Sequence, residues 1–327
     1  MNISTIERRT REVIPEWRDA VLELSVIEKG GSGRGFFRIS EPASGRGVVV
    51  VSYNRDRPDN ERFAPVTAFL NRHSIPAPQL IDWDQAGDTV WVEDLGSLDL
   101  GHLENEDWET VRRPAYEETL RTVMRLHTIT EASPPTDLPE LEPSFDDSLY
   151  QWEQDYFIEQ YVARFHSQAA AKDLKSDRSL LQLKEELCSL PRALVHRDFQ
   201  STNVMVVGER TVLIDYQGLR WGVPEYDLGS LLYDPYIEFS CEERSTLADF
   251  YFDLKVACGS SQTREEFERQ FVRATTQRLM QAMGAYGFLG EVKGKKKFLD
   301  HIPAGRERLV HLSQCEGGLA VLGDLLS

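Results

Sequence analysis

Apolar positions Ile6, Val13, Trp17, Val21 and Leu24 recur at roughly helical spacing and predict an amphipathic helix over residues 3–24. From Ser25 the period shortens to that of strands. Residues 24–28 read as a short strand, Gly30-Gly31-Ser32-Gly33-Arg34-Gly35 as a glycine-rich turn, and 36–40 as a second strand, while Gly45-Arg46-Gly47 leads into a third over 48–53. The pattern predicts an antiparallel meander with a glycine loop at its first turn. A helix is expected over 60–72, with Pro65 tolerable only near its first turn. Residues 75–83 are extended and stiffened by Pro76 and Pro78, and a further strand over 88–92 runs into Glu93-Asp94-Leu95-Gly96-Ser97, where sheet character stops.

Beyond that point the periodicity is helical. Tyr116, Leu120, Val123, Met124 and His127 form the stripe of a buried helix, with His127 read as a core histidine. Residues 144–165 are rich in aromatics and predict a helix whose default role is packing, with a cover over the site as the alternative. A helix is expected over 177–190, and Pro191 restarts the chain as strand. A hairpin over 204–207 and 211–216, turning at Gly208-Glu209, is expected to present Asn203 and Asp215 near each other. Helices are predicted over 225–233, 242–257, 264–286 and 306–326. The basic run Lys293-Gly294-Lys295-Lys296-Lys297 reads as a solvated loop. The chain is therefore expected to be α+β in two lobes: residues 1–95, with the antiparallel sheet and glycine loop, and 96–327, mainly helical.

Composition narrows the partners. An apolar fraction of 41% and a charged fraction of 28% suit an ordinary globular protein, and no apolar run approaches the roughly 20 residues of a membrane span. Residues 1–20 lack the apolar core of a secretory leader. The four cysteines, Cys188, Cys241, Cys258 and Cys315, lie far apart and are expected to be free thiols in a reducing cytoplasm. A net charge of −17 argues against nucleic acid or an anionic membrane as partner, and no obligate protein partner is evident. It also means that any nucleotide site must draw positive potential from metal ions, backbone N–H groups and a few arginines.

The glycine loop is open to two readings, an ordinary turn or a cover for phosphates. A dinucleotide fingerprint or P-loop needs a helix directly after the glycines; here an aromatic, β-branched strand with Phe36, Phe37 and Ile39 follows. Strand, glycine loop and strand is how a kinase hairpin covers ATP phosphates, although the spacing Gly31-x-Gly33-x-Gly35 is not that of protein kinases. The segment 93–97 would offer backbone groups to an adenine edge, or is a plain strand-to-helix turn.

The chemistry concentrates in Val195-His196-Arg197-Asp198-Phe199-Gln200-Ser201-Thr202-Asn203-Val204-Met205 and Leu213-Ile214-Asp215-Tyr216-Gln217. Phosphoryl transfer needs positioning and charge neutralisation more than covalent help. Asp198 would orient the acceptor hydroxyl and take its proton late. Asn203 and Asp215 are hard oxygen ligands suited to Mg²⁺. His196 is read as fixing the loop.

These runs, joined to Trp221-Gly222-Val223-Pro224-Glu225-Tyr226-Asp227-Leu228-Gly229-Ser230-Leu231-Leu232-Tyr233-Asp234, resemble the aminoglycoside phosphotransferase and choline kinase superfamily. Arg125-Leu126-His127 and Ser32-Gly33-Arg34-Gly35-Phe36-Phe37-Arg38 are similar to that superfamily as well. The Asp-Tyr-Gln and Gly-x-Pro-x-Tyr-Asp-Leu segments look most like bacterial anomeric amino-sugar kinases, which phosphorylate N-acetylmuramate and N-acetylglucosamine at C1 in cell-wall recycling. The resemblance implies a protein-kinase-like two-lobed fold, ATP and Mg²⁺ as cofactors and a small sugar or amino-alcohol substrate. It further implies Asp198 as catalytic base, Asn203 and Asp215 on the metal, and Gly31, Ser32, Gly33 and Arg34 on the nucleotide. Glu93 and Leu95 would form the adenine hinge, and Asp227 a buried carboxylate bracing the loop. Gln217, Arg220 and Asp234 would face the acceptor, with Tyr226 in the core.

The chain departs from the pattern in one respect. No lysine lies between Lys29 and Lys172, so the strand over 48–53 lacks the usual phosphate-binding lysine. An arginine (Arg34, preferred for its place inside the loop, or Arg38 or Arg55) supplies the charge, or the metals suffice, or the nucleotide site is degraded. Glu61, the corresponding ion-pair partner, is left open. The competing functions are an aminoglycoside-modifying enzyme and a non-catalytic nucleotide-binding pseudokinase.

Overall fold

The β-branched run Val48-Val49-Val50-Val51 lies at the middle of a five-stranded antiparallel sheet in the computed structural model, which describes residues 3–27 and 34–327. Its strands are β1 (Glu23–Ile27), β2 (Gly35–Glu41), β3 (Arg46–Ser52), β4 (Leu80–Asp84) and β5 (Thr89–Glu93), in the order β1-β2-β3-β5-β4. Val48 and Val50 point to one face. There they pack with Ile39, Trp91, Ile6, Ile14 and Trp17 into one core cluster. Ile6 belongs to helix α1 (Ile3–Val13), which the Trp91 indole N–H ties to the sheet by donating to Thr10 Oγ1 at 2.9 Å. The expected single helix over 3–24 is thus shorter: Pro15 starts a separate 3₁₀ turn, Pro15–Trp17, and the chain then enters β1.

Helix α2 (Pro58–Arg72) begins with proline at its first position and carries Asp59 and Glu61 in its first turn, which suits the positive helix end. Because it starts before residue 60, Pro65 falls in its interior rather than near its first turn. The lost backbone bond is offset by burial of Phe63, Ala64, Val66, Phe69 and Leu70. The sheet, α1 and α2 form one compact unit, made of the described residues through Leu98 together with Thr136–Glu142 and Met205–Gly218.

The other unit comprises Asp99–Pro135, Pro143–Val204 and Leu219–Ser327. Its helices are α3 (Arg113–His127), α4 (Asp147–Phe157), the single turn α5 (Ala163–Phe165), α6 (Gln168–Lys175) and α7 (Arg178–Ser189), followed by α8 (Pro224–Leu232), α9 (Cys241–Ala257), α10 (Arg264–Gly287), α11 (Ile302–Gln314) and α12 (Ala320–Leu326). The stripe Tyr116, Leu120, Val123, Met124 and His127 of α3 is buried as the pattern predicts. The aromatic stretch is not one helix: α4 gives way to a π-helical turn over Ile158–Val162. The helix expected over 306–326 is two, broken between Gln314 and Ala320 where Gly317 takes φ +85°. Helix α10 is buried along most of its length and packs closely on α8, where a Cβ on Gly229 would stand 2.4 Å from Thr275 Oγ1.

Two short ladders carry the central motif. Strand β6 (Ala193–Val195) pairs antiparallel with β9 (Arg220–Gly222), and β7 (Val204–Val207) pairs with β8 (Arg210–Leu213). No described helix is long and apolar enough to cross a membrane. The antiparallel sheet and the helix-rich remainder make the fold α+β.

Candidate active site

After β6 the chain must turn sharply, and the turn is made by Arg197 in the left-handed region at φ 77°. A non-glycine residue held there is strained, and such strain persists only where the surroundings over-determine it. Asp227, fully buried on α8, does so: its carboxylate accepts from the backbone N–H of His196 at 2.6 Å and of Arg197 at 2.8 Å. His127 Nε2 approaches the same carboxylate at 3.1 Å, and its Nδ1 lies 2.7 Å from the Tyr251 hydroxyl. His196 is likewise fully buried, its ring tilted at 48° to the buried Phe199 with centres 6.0 Å apart.

The turn presents Asp198 with 33% of its side chain open. Arg197 Nη1 donates to Asp198 Oδ2 at 2.5 Å, and Arg278 Nη2 from α10 stands 3.7 Å from Oδ1. Burial alone would raise the Asp198 carboxyl, but the two guanidinium groups outweigh it and hold it at about 2. Asp198 is therefore an ionised acceptor of hydrogen bonds throughout the neutral range, suited to orienting a hydroxyl. Asn203 Nδ2 donates to the Asp198 carbonyl at 2.9 Å, which commits the amide nitrogen and leaves Oδ1 for another partner. The short 3₁₀ turn Ser201–Asn203 is anchored by Asp234, whose Oδ2 accepts from Ser201 N at 2.9 Å and whose Oδ1 accepts from Tyr236 N at 3.1 Å. Burial pushes the Asp234 carboxyl up, opposed by its bonds from the Ser201 hydroxyl and backbone N–H. Arg220 is also buried, its guanidinium 5.4 Å from the Phe145 ring centre.

In the first unit, Asp215 follows β8 and takes φ 65°, a second strained non-glycine position. The next residue holds it there: the Tyr216 ring stacks on Phe63 of α2 at 5.6 Å and its hydroxyl meets Thr67 Oγ1 at 2.8 Å. Asp215 Oδ1 accepts from Arg34 Nη2 and from Gln217 Nε2, both at 3.0 Å. Arg34 is thus brought to Asp215, while Gly31, Ser32 and Gly33 lie outside the described residues. Arg38 and Arg55 are engaged elsewhere: Arg38 with Asp94 at 2.8 Å and the Gly96 carbonyl at 2.6 Å, Arg55 with Asp88 at 2.8 Å. Glu61 stands 3.5 Å from Arg55, both about half exposed, so their pairing contributes little.

At the end of β5, Glu93 forms an ion pair with Arg210 and accepts from Gln79 N at 3.2 Å. Leu95 is buried against Met205 and Val212. Beyond it the chain turns at Gly96, φ 78°, with Asp94 Oδ1 accepting from the Gly96 N–H at 3.0 Å. The Leu95 N–H and C=O make no hydrogen bond among the described residues, so both are available to a planar ligand edge.

Asp198, Asn203, His196, Asp227, Arg220 and Asp234 therefore belong to the helix-rich unit, and Arg34, Glu93, Leu95, Asp215 and Gln217 to the other. Sequence reasoning did not single out Arg278. It sits in the polar stretch Thr275-Thr276-Gln277-Arg278 of α10, all of it buried, and only the length of a helix polar yet flanked by Leu279, Met280 and Met283 hints at that burial.

The chain matches the family described as "Phosphotransferase enzyme family" over residues 23–289. It is 30% identical over 323 residues to an N-acetylmuramate/N-acetylglucosamine kinase of Neisseria meningitidis serogroup B, covering 96% of this chain and 92% of that one. An enzyme of the same name from Pseudomonas aeruginosa is 23% identical, with 93% and 88% covered. Among solved structures, a choline/ethanolamine kinase family protein from Mesorhizobium loti superposes with a TM-score of 0.63 at 15% identity, covering 98% of this chain and 99% of that one. The ADP-bound aminoglycoside phosphotransferase APH(2'')-Ib gives a TM-score of 0.59, also at 15% identity, with 93% and 97% covered. These structural likenesses speak to the fold alone, which is protein-kinase-like. With the sequence match spanning both strained turns and the Asp227 brace, the chain belongs to the phosphotransferase enzyme family.

Proposed function

We propose that this small-molecule phosphotransferase moves the γ-phosphoryl group of ATP, with Mg²⁺, to the anomeric hydroxyl of an N-acylated amino sugar of the N-acetylglucosamine and N-acetylmuramate type. The carrying observation is the Asp198 carboxylate, presented by a strained, braced turn and flanked by Arg197 at 2.5 Å. A polycationic aminoglycoside would be repelled by the guanidinium beside that carboxylate, whereas a neutral or anionic sugar would not. The likeness to N-acetylmuramate/N-acetylglucosamine kinases along 96% of the chain supports the same acceptor class.

In this reading the acceptor hydroxyl hydrogen-bonds to Asp198, its oxygen forms a bond to the γ-phosphorus, and the bond to the β-phosphate oxygen breaks to release ADP. The hydroxyl proton passes to Asp198 late. A carboxylate held at about 2 is too weak a base to remove it early, so orientation is the main contribution. Leu95 main-chain groups would meet the adenine edge. Asn203 Oδ1 and the Asp215 carboxylate are the hard oxygen donors that fit Mg²⁺, which would supply charge neutralisation on the phosphate oxygens. Arg34, now paired with Asp215, is the residue positioned in sequence to take over phosphate charge in the absence of the strand lysine.

The test incubates the protein with ATP, Mg²⁺ and, separately, N-acetylmuramate, N-acetylglucosamine, kanamycin and choline, following ADP release and loss of the sugar's reducing end. The reading expects ADP release matched by reducing-end loss with the amino sugars. Turnover of kanamycin or choline with none of either sugar would overturn it.

A further inference from the structure

Arg278 is 4% exposed, on the α10 face that packs against α8, and its guanidinium is fixed from two sides. Its Nε donates to Ser230 Oγ at 3.0 Å and its Nη1 to Gln281 Oε1 at 2.6 Å. The third nitrogen, Nη2, makes no hydrogen bond among the described residues; Asp198 Oδ1 at 3.7 Å is beyond hydrogen-bond length. A rigid guanidinium fork with two arms committed to buried neutral groups and one arm aimed past the catalytic carboxylate is built to receive something there. Asp198 Oδ2 is already taken by Arg197, so the open approach to the carboxylate lies on the Oδ1 side, where Arg278 stands.

An acceptor whose hydroxyl bonds to Asp198 must bring the substituent vicinal to that hydroxyl close to Arg278. We propose that Arg278 is a specificity-determining residue: Nη2 donates to an uncharged or anionic oxygen next to the phosphorylated hydroxyl, as in the carbonyl of a 2-acylamino group, and excludes an ammonium group there. The inference rests on the amino-sugar reading above and narrows it. It accounts for a site that would take N-acylated sugars, with or without a carboxylate elsewhere, yet reject their free amines. A buried donor that is left without its acceptor, and set against a like charge, discriminates far more strongly than a missing methylene does.

The experiment measures kcat/KM by ADP release for N-acetylglucosamine, glucose and glucosamine, at a pH that keeps the glucosamine amine charged, in wild type, Arg278→Gln and Arg278→Lys. Wild type is expected to favour N-acetylglucosamine over glucosamine by at least about 100-fold. Arg278→Gln should lose at least about 10-fold on N-acetylglucosamine while glucosamine does not fall, compressing the ratio. Arg278→Lys, which keeps the charge, should still exclude glucosamine. Equal losses on all three sugars in Arg278→Gln would overturn the proposal, because they mark a residue that only holds Asp198. So would a wild type that uses glucosamine as well as N-acetylglucosamine, a result that needs no variant to fold. Absence of wild-type turnover on every sugar would instead bring down the amino-sugar reading, and this inference with it.

Discussion

Asp227→Asn removes one charge from the point on which the strained Arg197 turn hangs. In the wild type the fully buried carboxylate receives two backbone N–H donors, from His196 at 2.6 Å and Arg197 at 2.8 Å, and stands 3.1 Å from the buried His127 Nε2. An asparagine offers one oxygen and turns an NH₂ toward the other donors, so at least one backbone N–H faces another donor. Leaving a buried group unsatisfied costs about 1–3 kcal/mol, and weakening charge-assisted bonds adds to it, so the loss should be about 2–4 kcal/mol. At about 2.1 cal/mol/K per residue, a chain of this length loses roughly 3–6 °C in melting temperature. With the strained Arg197 released, Asp198 shifts, and a displacement near 1 Å is enough for a loss on the order of 100-fold in kcat. Thermal melts followed by tryptophan fluorescence, paired with ADP-release kinetics, read both. An Asp227→Asn protein that melts within 1 °C of wild type, by the same conversion, and keeps its kcat would refute the bracing argument.

Two further outcomes follow from the packing and from charge. Gly229→Ala should cost about 1–3 kcal/mol, because its Cβ would stand 2.4 Å from Thr275 Oγ1 and 2.8 Å from Thr275 Cα, forcing α8 from α10; denaturant unfolding checks this, and a neutral result would show that the two helices slide freely. Asp198 is held at about 2 when folded, against about 4 for an unfolded aspartate, so its pairing stabilises the native chain above pH ~4 and that contribution disappears as pH falls toward ~2. Between those limits wild type should lose stability more steeply than Asp198→Asn; parallel curves would contradict it.

The elements legible in the sequence are those whose signal is local. The meander of β1 to β3 follows from strand alternation between glycine turns, and α3 from a stripe of five residues on one face. The turn at His196 to Asp198 was recognisable because the kinase-like spacing falls within a few residues, and Asp227 because its motif is contiguous. What was not legible depends on distant partners. Arg278 lies 80 positions beyond Asp198 and carries no motif; only the packing of α10 brings it to the carboxylate. Arg34 lies inside the glycine loop in sequence, yet its partner is Asp215, 181 positions away. Pro65 inside α2 shows tertiary burial overriding local propensity, and the break between α11 and α12 turns on one glycine at φ +85° in an otherwise helical pattern.

Under the proposed function, Asp198 orients the acceptor without binding the nucleotide. Wild type and Asp198→Asn are compared for transfer from ATP to N-acetylglucosamine and, on the same preparations, for ATP affinity by calorimetry. The expected outcome is a loss of at least about 1000-fold in turnover with ATP affinity within about threefold of wild type. Retained turnover in Asp198→Asn, or a loss that tracks an equal loss of ATP binding, would contradict it.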